Sequence, residues 1–541
     1  MKRQEEQFNE MIVSSRSLSY YEGKKFKTLL PQILAAILAA SFNIVYGISL
    51  AYSAILIPQL EEEAKNNNTD AIQVTESDNS LIASVLVIVV PIGAIVGGFI
   101  MDYMGRLNII KLAAIPSCIG WVLIALAYNV PMLIAGRVLT GIAAAWGTGP
   151  AIVYMTEIAR PDMRGSLIST APAFVSLGTV LVYLKGWVMH WRLVAWLCIA
   201  YSIVPAFLIM LIPESPPWLV SKGRVKQAKA ALEWINKYQP QPEFRTETFA
   251  EMQLASLQKE HMLKLQEQAR SSGNSVKRKF KMFLQPTAYK PLLILAGLFF
   301  FQQFSGTYIT LFYAVSFFED VGTNINPYLA SIFLGAVRFA MSIVNTGLMK
   351  RYMRRSLLTW SALGMAACMG ISGLFTTWIR NGTTNQSWVP VLMLVIYVVT
   401  SMVGLLSIPW TIAAELFPIE IRGVSHAIVY SIANFLMFAA LQSYYKLTRF
   451  FGGSAGLQYF FAVISLGGLI YSYVVLPETH RKKLSEIEEY FKTHTTYLSV
   501  KAEEKKMKSH KKPIVINPQL IQDDYLKKDD EQTEKMLQDK V

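Results

Sequence analysis

Gln302 and Gln303 stand side by side in an apolar run, and Arg338 is a lone charge inside another. These residue types bind polar solutes, and none is a nucleophile set beside a base. An amide side chain both donates and accepts, which suits a solute whose hydroxyls do the same. Buried amides equally join helices to one another where lipid offers no partner, so both readings stand on the residues alone. Neighbouring positions on a helix point about 100° apart, so the two amides serve different directions. Trp410 offers a flat face, for a solute ring or for packing inside the protein. Pro409 before it is expected to break its helix and leave a bend. Arg338 has three uses open to it: to hydrogen-bond a solute, to attract an anion, or to reach a watery vestibule. The six histidines are scattered, and no phosphate-binding loop, metal cluster or nucleophile–base set is visible. No enzyme, cofactor or metal is expected.

A second set of residues is charged and repeated. Glu157, Arg164 and Gly165 recur with the same spacing as Glu415, Arg422 and Gly423, 258 residues later. Pro213-Glu214-Ser215 recurs as Pro477-Glu478-Thr479, and the turn at Gly105-Arg106 as Met353-Arg354. Three pairs in one order mean a duplicated unit. A single charge of this kind at a membrane edge is most often a solvated surface residue; a repeated, spaced set argues for a role.

The scaffold follows from composition. Of 541 residues, 53% are apolar and only 16% charged, too few charges for the surface of a soluble chain this long. The apolar residues fall in blocks of about 20, enough to cross a hydrocarbon layer of about 30 Å as helix. Twelve spans are expected, near Leu29–Ile57, Leu81–Met101, Ile109–Tyr128, Met132–Tyr154, Leu167–Gly186, Leu193–Ile212, Leu292–Phe318, Leu329–Met349, Leu357–Trp378, Val389–Ala414, Val424–Tyr445 and Leu457–Leu476. The polar N-terminus carries no cleavable signal, so span 1 is expected to direct insertion. Cys118, Cys198 and Cys368 lie inside spans and read as packing residues.

Lys and Arg outnumber Asp and Glu by 51 to 37, a balance that in a soluble chain would suggest nucleic acid. Here the basic residues gather in alternate loops, the central segment and the tail, while the loop after span 1 is acidic. The positive-inside rule then places both termini and the central segment in the cytoplasm, and no nucleic-acid partner is expected. The sequons at Asn67, Asn381 and Asn385 all fall in loops this topology puts outside, as N-glycosylation requires. The expected organisation is a cytoplasmic N-terminus 1–28, a six-helix half 29–214, a cytoplasmic linker of short amphipathic helices 215–290, a second half 291–478, and a largely disordered cytoplasmic tail 479–541. In the linker, Lys277-Arg278-Lys279 would meet anionic headgroups or simply be solvated.

Over nearly all of Pro31–Glu488 the chain resembles the sugar porter family of the major facilitator superfamily. The motifs that carry the resemblance are Gly98…Asp102…Gly105-Arg106, Gly136-Arg137, Glu157…Arg164-Gly165, Pro213-Glu214-Ser215-Pro216, Gln302-Gln303-Phe304-Ser305-Gly306, Pro409-Trp410…Glu415…Arg422-Gly423 and Pro477-Glu478-Thr479. Within the family it is most similar to the insect facilitated trehalose transporters. The resemblance implies an all-α major facilitator fold of twelve transmembrane helices in two halves, with solute held between them. It implies sugar contact at Gln302, Gln303, Trp410 and Asn434, and a gating charge network of Asp102, Arg106, Glu157, Arg164, Arg354, Glu415 and Arg422. That network is expected to pair across the halves when the cytoplasmic side closes.

Some family positions differ. Pro172, Tyr308, Met402 and Ser431 replace polar or aromatic sugar contacts, and the outer-gate tyrosine pair reads Phe312-Tyr313. Tyr308 offers a hydroxyl and a stacking face in compensation, and Ser431 a wider cavity. The loop Lys350–Arg355 lacks the family's Asp and Gly. Proton-coupled relatives place an Asp in span 1; none occurs across Leu29–Ile57, nor at mid-depth elsewhere. The expectation is therefore a monomeric sugar uniporter of the plasma membrane, for trehalose or a related sugar, with the bilayer as its other partner. Two rivals remain: a carrier of the same fold for an organic anion, and a sugar sensor that binds without flux.

Overall fold

Inside hydrocarbon a backbone N–H or C=O has no water to turn to, so an apolar run closes its own hydrogen bonds as helix. The computed structural model describes residues 26–66, 72–160, 163–240, 248–270, 283–321, 326–413, 416–417, 421–478 and 490–491. Among these every regular element is a helix. The chain forms two compact units, Met1–Thr493 and His494–Val541, and the second lies outside the described residues, as does all of the expected tail except 490–491.

Among the described residues eleven helices are long and apolar enough to cross a membrane. Spans 1 to 6 are Phe26–Lys65, Glu76–Met104, Arg106–Ala125, Val130–Ile158, Arg164–Val188 and Trp191–Leu211; spans 8 to 12 are Pro327–Met349, Arg354–Arg380, Trp388–Ala413, Val424–Gln442 and Ser454–Val474. Span 7 is the twelfth crossing and is divided into Pro286–Phe304, Ile309–Phe312 and Ala314–Val321. Helix continues past the apolar blocks where helix-forming residues follow, as in Glu61–Lys65 at the end of span 1. Thr75 begins span 2 with a capping box: its hydroxyl accepts from the Asp78 N–H at 3.2 Å, and Asp78 accepts from the Thr75 N–H at 3.0 Å.

Helices surrounded by lipid gain little hydrophobic drive from touching, so close approach depends on small residues. Spans 3 and 4 meet at Gly120 and Gly136, where a Cβ on either would stand 2.8 Å from the other's carbonyl oxygen. Spans 1 and 5 meet the same way, with Gly47 against the Val175 backbone and Gly178 against that of Ile44.

Among the described residues three helices connect the halves: α1 Pro216–Ser221, α2 Val225–Ile235 and α3 Phe249–Arg270. They bury Trp218, Leu219, Ala228, Leu232 and Leu254 against one another. The Trp218 indole N–H donates to the Asp102 carbonyl at 3.1 Å, which fastens α1 to the end of span 2. The end of the bundle that carries these helices is termed the linker end, and the opposite one the far end. Lys277-Arg278-Lys279 lies outside the described residues.

Candidate functional site

Two interruptions face each other in the second half. Span 7 unwinds at Ser305–Tyr308, with Gly306 at φ 94°, a conformation that favours glycine. Span 10 unwinds between Trp388–Val403 and Ile408–Ala413. The expected break at Pro409 is therefore shifted to residues 404–407; Pro409 sits in the first turn of the following piece, where a proline costs no hydrogen bond. An unwound segment leaves peptide groups unpaired, and side chains supply the missing partners. Ser361 Oγ accepts the Leu405 N–H at 2.9 Å, and Gln302 Nε2 donates to the Leu405 and Leu406 carbonyls at 2.8 and 2.9 Å. The Tyr397 hydroxyl donates to the Ser305 carbonyl at 2.8 Å.

The two adjacent glutamines thus have different occupations. Gln302 holds the span 10 break with its amide N–H groups, and its oxygen accepts from Gln303 at 3.0 Å. Gln303 keeps a buried side-chain oxygen with no partner.

Around these breaks lies a face of half-buried aromatic and hydroxyl groups. Trp410 packs edge-on against Phe299, ring centres 4.7 Å apart, and lies 5.7 Å from Tyr430. Tyr46 of span 1 stands within electrostatic reach of Tyr308 and Tyr430, so both halves contribute. Asn434 is buried and donates to the Tyr430 carbonyl at 2.8 Å. Tyr313 is fully buried; it stacks on Tyr444 with ring centres 4.3 Å apart, and its hydroxyl donates to the Leu441 carbonyl. Arg338 is 8% exposed, among Tyr183, Tyr308 and Tyr397.

Toward the far end the halves are laced together. Ser53 Oγ donates to the Phe312 carbonyl at 2.9 Å and the Tyr183 hydroxyl to that of Leu311 at 2.6 Å. Ser84 Oγ donates to Gln442 at 2.9 Å, and Arg449 pairs with Glu76 at 2.6 Å. Two of these bonds cap carbonyls freed by the broken span 7, so the same segment shapes the site and fastens the closed end.

At the linker end the first half holds a set of charge contacts of its own. Arg106 makes a two-point contact with Glu157, Nη2 to Oε1 at 2.9 Å and Nε to Oε2 at 3.0 Å, and Ser215 Oγ also donates to Glu157. Asp102 is exposed and reaches Arg106 only at 3.8 Å. Glu214 accepts the N–H of Arg106 at 3.1 Å and of Leu107 at 3.0 Å, capping span 3. Burial raises the Glu214 carboxyl above its usual range, against the lowering effect of these N–H groups. Gly105, at φ 108°, has no room for a side chain, since a Cβ would lie 2.6 Å from Glu214. The second half repeats the cap: Glu478 accepts the N–H of Arg354 at 3.3 Å and of Arg355 at 3.2 Å. Arg164 is exposed at the start of span 5. Glu415, the Arg422 side chain and Asn67 lie outside the described residues, while Asn381 and Asn385 are exposed in the far-end loop after span 9.

Sequence reasoning named Arg137 within a motif but gave it no role, and passed over the span 7 break. Arg137 is fully buried and donates to the carbonyls of Ser49 and Ile82, joining spans 1, 2 and 4. Its signal was a charge inside an apolar run, the same signal that marks Arg338. The break had its own, Ser305-Gly306 in mid-span.

Comparison with known proteins agrees with this architecture. The family described as "Sugar (and other) transporter" matches residues 32–491. The chain is 32% identical to the facilitated trehalose transporter Tret1 of Polypedilum vanderplanki, over 84% of this chain and 87% of that one. It is 30% identical to a facilitated trehalose transporter Tret1-2 homolog of Drosophila sechellia, over 86% and 92%. Its fold matches the inward-open xylose transporter XylE from E. coli with a TM-score of 0.67 at 20% identity, covering 84% of this chain and 98% of XylE. A broken span 7 braced on a broken span 10, in a duplicated bundle that matches this family along most of its length, has one assignment: the chain is a multi-pass membrane protein of the sugar transporter family, with the major facilitator fold.

Proposed function

We propose that this chain is a facilitative sugar uniporter of the plasma membrane, carrying trehalose or a related sugar by alternating access. The observation that carries the reading is the seam between the halves. Tyr46, Tyr308, Trp410 and Tyr430 gather there, and nearby Gln303 keeps an unpartnered acceptor. The hydroxyls and rings match the two faces of a sugar, its polar edge and its C–H surface. The halves are laced at the far end by a few hydrogen bonds and an exposed ion pair, contacts weak enough to break and re-form in each cycle. Relatives named as facilitated trehalose transporters favour that solute. The absence of a mid-span carboxylate favours downhill movement without a coupled proton. Positive loops at the linker end favour a cytoplasmic linker and termini, and the exposed Asn381 and Asn385 sequons favour an extracellular far end.

The test is uptake of labelled trehalose and glucose by oocytes expressing the chain, at two external pH values, with Gln303→Ala alongside. Saturable trehalose uptake that ignores pH and falls in the variant is expected. Surface-expressed protein that moves neither sugar would sink the proposal, and uptake that rises on acidification would overturn uniport.

A further inference from the structure

Arg338 has no counter-charge. It is 8% exposed in the middle of span 8, and among the described residues it makes no ion pair and no hydrogen bond. The groups within electrostatic reach are the hydroxyls of Tyr183, Tyr308 and Tyr397. Two of these give their single proton to backbone carbonyls, Tyr183 to Leu311 at 2.6 Å and Tyr397 to Ser305 at 2.8 Å. Their oxygens keep lone pairs, not charge. A buried cation without a partner costs more than almost any other side chain, and Arg137 shows how the same fold partly settles one, by donating through Nε and Nη1 to the Ile82 and Ser49 carbonyls while its Nη2 stays unpartnered. Arg338 is not settled that way.

Its position is the transport seam. One turn before it, Gly335 packs against Val180 and Tyr183 of span 5, where a Cβ would lie 3.3 Å from the Tyr183 ring. Arg338 therefore stands where the first half meets the second, beside Tyr308 at the span 7 break. Ser342 and Asn345 follow it on the same face at helical spacing, both buried. Asn345 donates to Ser407 at 2.8 Å and keeps a buried side-chain oxygen unpartnered.

We propose that Arg338 is the anion-recognising residue of the transport site, and that a monoanionic sugar, an aldonate or uronate, is carried alongside the neutral one. This rests on the reading of the chain as a sugar carrier. A guanidinium and a carboxylate meet in a two-point, charge-assisted contact, while the surrounding tyrosines and Gln303 take the hydroxyls. One cation suits one negative charge: a phosphate dianion would leave a charge uncompensated in a low-dielectric seam. Carrying an anion without a co-ion moves charge, so flux must respond to membrane potential.

The experiment uses the full chain in proteoliposomes, with labelled glucuronate and labelled glucose followed in parallel under an imposed potassium diffusion potential. The expected result is saturable glucuronate uptake alongside that of glucose, accelerated when the interior is positive. Arg338→Gln is expected to cut glucuronate uptake by at least about tenfold relative to glucose uptake in the same vesicles. Arg338→Lys should retain part of it. Glucuronate should also raise the melting temperature of the purified wild type more than glucose does, a readout that survives if the variants fail to fold. Glucose uptake with neither entry nor competition by glucuronate would overturn the inference and leave the sugar reading intact. An Arg338→Gln protein that discriminates as wild type does would overturn it too. Flux of neither solute would count against both readings.

Discussion

Gln302 Nε2 lies 2.8 Å from the Leu405 carbonyl oxygen and 2.9 Å from that of Leu406, so the break in span 10 is held by a side chain that immediately precedes the break in span 7. The two irregular segments are one mechanical unit. Moving either changes the geometry of the other, and both border the face of aromatic and hydroxyl groups.

That linkage separates two adjacent residues by experiment. Gln302→Leu leaves two buried carbonyls without a donor, at a cost of about 1–3 kcal/mol. It should lower the melting temperature of the purified protein and sugar uptake together. Gln303→Leu removes an oxygen that has no protein partner, so uptake should fall with the melting temperature little changed. Equal thermal losses in both variants would show that Gln303 is structural as well.

The far-end contacts differ in worth by their burial. Arg449 and Glu76 form an exposed pair, 76% and 55% accessible, and such a pair contributes about 0.2–1 kcal/mol at most. The Tyr183 hydroxyl instead caps a buried carbonyl of span 7. Tyr183→Phe should therefore shift the population toward an open far end by about fivefold, whereas Arg449→Gln should leave it nearly unmoved. Spin labels on Lys65 and Lys446, one per half, read the opening as a longer distance. A larger shift for Arg449→Gln would reverse the assignment.

The spans were legible because hydropathy is averaged over about 20 residues, and an apolar run in lipid has one way to satisfy its backbone. The same averaging hides a break of four residues, so Ser305–Tyr308 passed for helix and the span 10 interruption was tied to Pro409. Proline is the usual suspect in a helix, but Gly404 made room here: a Cβ on it would stand 2.6 Å from the Leu357 carbonyl oxygen. The repeated glutamates were also found, though not their task. Spacing along the chain pairs Glu157 with Arg164; folding brings Arg106 to it from span 3. A repeat shows that a residue matters twice, and only the fold shows to whom.

The duplicated caps make a prediction of their own. Glu214 and Glu478 each place a carboxylate on the first N–H groups of a helix, at spans 3 and 9. A carboxylate there both satisfies free donors and opposes the helix dipole. Glu214→Ala and Glu478→Ala should each destabilise the protein by about 1–2 kcal/mol, and the double variant by their sum, since the caps sit on different helices. Thermal unfolding in detergent measures this. Strong non-additivity would mean that the linker ends of the two halves are coupled.

The linker helices supply a test in pH. Glu251 begins α3, accepting the Thr248 N–H at 2.9 Å, and pairs with Lys229 of α2 at 2.7 Å. Lys229 first, then the Thr248 groups, hold the Glu251 carboxyl down to about 2; Glu251 in turn raises the Lys229 ammonium above its usual range. A depressed carboxyl stabilises the fold above its unfolded value of about 4.3, and that contribution fades as pH falls toward about 2. A raised ammonium contributes below about 10.4 and loses its share as pH rises through the folded value. The α2–α3 contact should therefore be flat between pH 6 and 8, with protection of the first turn of α3 in hydrogen exchange unchanged once intrinsic rates are corrected. Glu251→Gln keeps an acceptor for Thr248 and should lose only the pair, while Glu251→Ala should fray the turn as well. Protection that changes between pH 6 and 8 would mean that a group other than this pair governs how the linker holds together.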